Sequence, residues 1–102
     1  MLGGRKISVQ RNTEVADGQG GFLQGWAVIA EERGRVRPAT GKEMEIARNL
    51  QGVVTHITYL RAAAPVQSGD RLLVNDITLR VHAIRQPALA GRFIAIDCEE
   101  LQ

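Results

Sequence analysis

WAVIAEERGRVRPATGKEMEIARNLQGVVTHITY, running from Trp26 to Tyr59, parses as a long strand, a proline-led turn, a short capped helix and a second strand. Arg33, Arg35 and Arg37 recur at every second residue, so an extended chain carries them on one face and Gly34, Val36 and Pro38 on the other. Pro38 has no N–H to give to a ladder, and the strand ends there. Thr40-Gly41-Lys42-Glu43 has the form of a capping box: the Thr hydroxyl accepts from the third helical N–H, and the Glu carboxylate accepts from the cap's own N–H. The helix is therefore expected to begin near Gly41. Met44, Ala47 and Leu50 follow at three-residue steps as one narrow apolar stripe, Gly52 stops the helix, and β-branched Val53, Val54 and Thr55 open the next strand.

Working outward, Lys6 to Arg11 alternates polar and apolar as a short half-buried strand. Asn12 to Gly25 reads as a polar, glycine-rich, flexible hairpin loop with Asp17-Gly18 as its turn signal. The strand from Trp26 to Arg37 exceeds the usual length of about five or six residues, so a bend is expected, with Gly34 as the bulge and Trp26, Val28, Ala30 and Val36 facing inward. Downstream strands are expected over Val54–Arg61, Arg71–Val74, Ile77–Ile84 and Phe93–Glu99. Asn75-Asp76 is a two-residue hairpin turn; Ile77, Leu79, Val81 and Ala83 share a face, and Ile94, Ile96 and Cys98 point inward. The chain is thus read as mainly β, a small antiparallel β-barrel or sandwich of about six strands with one short helix in an inserted loop, residues 39–53. At 102 residues, one domain is expected.

Composition narrows the chemistry. The single Cys98 has no disulfide partner and sits on an apolar strand, where it reads as a small buried hydrophobe. His56 and His82 lack neighbours at metal-ligand spacing, and neither Ser8 nor Ser68 lies in a nucleophile elbow, so no metal, cofactor or catalytic constellation is expected. His56 reads as a strand residue sharing a hydrogen bond and His82 as solvent-facing. Gly18 to Leu23 begins like a dinucleotide fingerprint but leads into a strand, and the βαβ context is missing. No apolar run approaches the length of about 18 residues that a membrane span needs, and the opening Met1 to Lys6 carries no apolar signal stretch, which gives the expectation of a cytosolic chain.

The basic balance is modest: net charge +2, with 13 Lys and Arg against 11 acids. The arginine stripe supports two readings, a solvated face neutralised by Glu31, Glu32 or a neighbouring strand, or an interface toward an acidic partner or DNA. The candidate partner-contact residues are Arg33, Arg35 and Arg37 on the strand, Lys42, Glu45 and Arg48 on the helix, and Asp17 and Gln19 in the hairpin loop. An insertion as long as residues 39–53 between two strands serves binding more often than folding.

Read in order, these segments resemble one known family. Ile7-Ser8-Val9-Gln10-Arg11, the glycines from Gly18 to Gly21, Trp26, the run from Gly34 through Pro38 to Glu43, Val54-Thr55-His56-Ile57-Thr58 and the strand Ile77 to Ile84 are similar, in sequence and spacing, to the bacteriophage head-tail joining, or head-closure, proteins. The resemblance implies a non-enzymatic virion protein of the neck of a long-tailed phage or gene-transfer particle, assembled in the bacterial host cytoplasm. It implies a homo-oligomeric ring below a portal or adaptor ring protein, a docking surface for a tail terminator or other tail protein, closure of the channel, and packaged DNA nearby without sequence-specific contact or any membrane. It also implies that residues 39–53 or 12–25 change conformation on assembly. From the residues alone, a small basic β-barrel nucleic-acid-binding module is the alternative, weakened by the scarcity of aromatics at 4%.

Overall fold

Alternate residues of the strands turn inward and exclude water, and the molecule is arranged around them. The computed structural model describes residues 4–16, 18–50, 52–85 and 92–101. Along the chain lie β1 (Arg5–Ala16), β2 (Phe22–Pro38), α1 (Gly41–Leu50), β3 (His56–Arg61), β4 (Arg71–Val74), β5 (Ile77–Arg85) and β6 (Phe93–Leu101). Every neighbouring pair is antiparallel, and the six strands close as a barrel in the order β1-β2-β3-β6-β5-β4. Of the two expected β architectures, the barrel is the one formed. Closure rests on a short ladder from Ile7↔Val74 to Gln10↔Arg71 between β1 and β4.

Ile7, Val9, Leu60, Leu72, Leu79 and Ile96 lie at the centre, each at most 1% exposed, and Ile94 and Cys98 join them from β6 as the alternation requires. Each fully buried aliphatic side chain contributes about 1.5–3 kcal/mol of gross burial energy to set against chain entropy. Asn75 takes a left-handed φ of 53° in the expected two-residue turn, which asparagine tolerates, and β4 and β5 pair from Val74↔Ile77.

Two inserted residues correct the expected faces. The β1–β2 register passes from Val9↔Ala30 to Gln10↔Val28, so the bulge is at Ile29, not Gly34. Ala30 and Val36 pack against the core as expected, but the extra residue reverses the alternation before them: Val28 is 54% exposed, and Trp26 is only half-buried. A second shift leaves His82 unpaired between Val81↔Cys98 and Ala83↔Asp97, which takes Ala83 off the face shared by Leu79 and Val81.

Gly34 is needed for another reason. A Cβ there would fall on the carbonyl oxygen of Tyr59 and on Leu60, because β2 and β3 converge at this point.

The expected loop over residues 12–25 is also corrected. Pairing continues from Asn12↔Trp26 to Ala16↔Phe22, so the segment is a two-stranded ribbon, with residues 18–21 as the described part of its tip. Gly18 and Gly20 supply left-handed φ values of 82° and 88° at its tip.

Candidate functional site

The site is built where β2 hands the chain to α1. Pro38 is the last strand residue, and Thr40 caps the helix as its sequence requires: Glu43 N donates to Thr40 Oγ1 at 3.1 Å, and Thr40 N donates to Glu43 Oε1 at 2.8 Å. Arg37 reaches over this cap, its Nη1 and Nη2 donating to the two Glu43 oxygens at 2.7 and 2.8 Å and its Nη2 donating to the Tyr59 hydroxyl at 3.0 Å. Mainly through the Arg37 guanidinium, and then through the Thr40 N–H, the Glu43 carboxyl is held down at about 2. The same pairing raises Arg37 above its ordinary value.

The three stripe arginines therefore have different situations. Arg33 and Arg35 are exposed on the outer face of β2, with Arg33 Nη1 within 3.4 Å of the Gly4 carbonyl oxygen, whereas Arg37 is turned onto the helix cap. The acids expected to neutralise the stripe are engaged elsewhere: Glu31 with Lys6 at 3.0 Å and Glu32 with Arg61 at 2.7 Å. Lys42, Glu45 and Arg48 all face solvent on α1, Gln19 is exposed at the ribbon tip, and Asp17 lies outside the described residues.

Only one residue of the helix's expected apolar stripe meets the barrel. Ala47, with Ala39 and Tyr59, packs on a small cluster of Val54, Ile57 and Ala95 on the outer face of β3 and β6. Met44 is 38% exposed and Leu50 74%, and Ile46 and Val53 are exposed beside them. The barrel offers α1 too small an apolar patch to cover a whole stripe. The helix thus projects charge and apolar surface together, a composition suited to a protein partner.

No group of three His, Cys, Asp or Glu is placed to hold a metal among the described residues. Thr55 Oγ1 and His56 Nδ1 are 2.9 Å apart, the shared hydrogen bond expected of His56, while His82 is half-buried against Glu99 at 2.8 Å and not solvent-facing. Burial pushes the Cys98 thiol up to about 12, so it is a packing group. A shallow groove at the end of the barrel opposite the ribbon is lined by Arg5, Pro38, His56 and Asp76 among others.

The family model for phage head completion protein matches residues 4–101. The chain belongs to this family. The head completion family member shares its fold with the solution structure of a Shigella flexneri 2a protein, at 20% identity and TM-score 0.77 over 98% of this chain and 96% of that one. It is also similar to a chain of the native gene transfer agent virion particle, at 21% identity and TM-score 0.59 over 95% of this chain and 94% of that one. No curated protein matches it in sequence.

Two ion pairs of this head completion family member escaped the sequence reading. Asp70, 3% exposed, accepts from Arg11 Nε and Nη2 at 3.0 Å and from Gln67 N at 2.8 Å, fastening the base of the ribbon to the loop before β4. Glu32, 8% exposed, accepts from Arg61 Nε at 2.7 Å beside the narrow β2–β3 contact. The partners are 59 and 29 residues apart, and no local pattern marks them. A third contact, Arg71 stacked 4.0 Å over the Trp26 ring, covers one face of the chain's single tryptophan.

Proposed function

We propose that this chain is a structural virion protein that joins the head and tail of a long-tailed phage or gene-transfer particle. In this reading it forms a ring below the portal or adaptor, closes the DNA channel and presents the surface on which a tail protein docks. The observation that carries it is the match of the head completion family to residues 4–101, essentially the whole barrel with its ribbon and helix. The fold shared with a chain of a gene transfer agent virion supports the same setting.

On this reading, particular residues take particular roles. The chain acts as one joining domain. Arg33, Arg35, Lys42, Glu45 and Arg48, with Gln19 at the ribbon tip, contact neighbouring proteins, and Asp17 is assigned there by sequence. Arg37 acts from behind, fixing the direction in which α1 leaves the barrel. Residues 39–53 are the arm that meets a neighbour. A role through binding, with no reaction of its own, fits a surface whose polar groups are spread out and not convergent.

The test is genetic and visual. Particles made without this chain are expected to be tailless heads that lose their packaged DNA, and images of intact necks are expected to show a ring of its density between portal and tail. Normal tailed particles in its absence would end the proposal.

A further inference from the structure

The ribbon carries two strand edges that the rest of the barrel leaves open. The last pair between β1 and β4 is Gln10↔Arg71, and the pairing of β2 with β3 begins only at Arg35↔Tyr59. Among the described residues, the stretches 12–16 and 22–27 therefore have one strand partner each, namely each other. Along an unpaired edge, every second residue directs its N–H and C=O outward, a ready template for another strand.

Edges left free in solution are usually blunted by proline, lysine or charge. None of residues 12–16 or 22–27 is Pro, Lys or Arg, and Glu14 is the single charge. At the root of the ribbon Val28 and Ile29 are 54% and 38% exposed, an apolar patch that pairing alongside would cover. Both observations point to an occupant that adds backbone to the edge.

The two edges belong to different strands and look in opposite directions, which decides the kind of occupant. Pairing of β1 with β1 would end in a dimer, with both β2 edges left over. Pairing of β1 in one copy with β2 in the next leaves the same two edges at the ends of the growing assembly, and it closes into a ring where the rotation between copies allows. Copies set side by side in one orientation bring β1 against an oppositely running β2, so the junction repeats the antiparallel ladder within each ribbon.

We propose that a second copy of this chain occupies each edge, residues 12–16 of one copy pairing with residues 22–27 of the next. This deepens the ring reading above and rests on it.

Amide hydrogen exchange of the full chain, as free monomer and in rings recovered from particle necks and counted by native mass spectrometry, tests it. Exchange is expected to slow at least ten-fold over both 12–16 and 22–27 on assembly, at alternating amides. A ring protected at 41–50 with an unchanged ribbon would overturn this pairing while leaving the ring, and a single copy per neck would overturn both. A second measurement mixes two chains, Thr13→Cys and Gly25→Cys, whose native Cys98 is buried and silent. A Cβ at Gly25 meets only ordinary contacts, so the ribbon tolerates the change. The mixed disulfide is expected to exceed either homodimer. A dominant Thr13→Cys homodimer, or bridging to an extended segment of another virion protein in its place, would overturn the proposal.

Discussion

Gly34 and Gly41 both lie inside the stretch from Trp26 to Tyr59, and only one of them is irreplaceable. At Gly34 a methyl would collide with the Tyr59 backbone and Leu60; at Gly41 nothing lies within 4 Å. Gly34→Ala is expected to cost more than about 2 kcal/mol of unfolding free energy, and Gly41→Ala to be neutral or stabilising by up to about 1 kcal/mol, both read by urea denaturation. Equal effects would show that the β2–β3 approach is not tight. Sequence marked Gly34 as special yet assigned it a bulge, because a glycine in a strand signals either a kink or a close neighbour, and only the neighbour's position separates them. Asp70 shows the same limit: Ser68-Gly69-Asp70 was legible as a turn, but the carboxylate's engagement with Arg11 depends on how the barrel closes.

Elements defined by local chemistry were the legible ones. The capping box placed the start of α1 at Gly41, the Asn75-Asp76 turn placed the β4–β5 hairpin, and the alternation in β6 put Ile94, Ile96 and Cys98 inside. Elements set by tertiary pairing were not: the ribbon over residues 12–25 is glycine-rich and polar, and what extends it is the template of a barrel already twisted and closed. One bulged residue reverses every face before it, and the composition around Ile29 does not announce it. For α1, the cap makes a pH-dependent forecast. The Glu43 carboxyl is lowered from 4.5 to about 2, so its contribution is complete above the upper value and is lost as pH falls toward the lower one. Amide exchange in the first turn of α1 is expected to quicken across that interval, and Glu43→Gln to remove the dependence. Thr40→Ala is expected to destabilise the helix by about 1 kcal/mol at neutral pH, seen as faster exchange confined to the same turn.

The molecule as a whole is a barrel with three surface features: the ribbon, the helix and, next to the helix cap, the outer arginines of β2. With Trp26 under Arg71 and Tyr59 bound to Arg37, Phe93 is the one exposed aromatic among the described side chains, too few for the stacking platform that a nucleic-acid barrel needs. In a titration with duplex DNA, affinity is therefore expected to be weak and its logarithm to fall with log salt with a slope no steeper than about −2, as for one or two phosphate contacts. A steep slope would favour the nucleic-acid reading over the joining one.

β2 has a mechanical meaning beyond its place in the wall. It is one strand of 17 residues, about 55 Å of backbone at 3.3 Å per residue, running from the ribbon's tip to the proline where α1 is rooted. No loop interrupts it, and Arg37 at its far end grips the helix cap. The bulge at Ile29 bends it on the way, so the ribbon and the root of the helix share one continuous but kinked strand. A load applied at the ribbon is taken up in part by that kink before it reaches the helix.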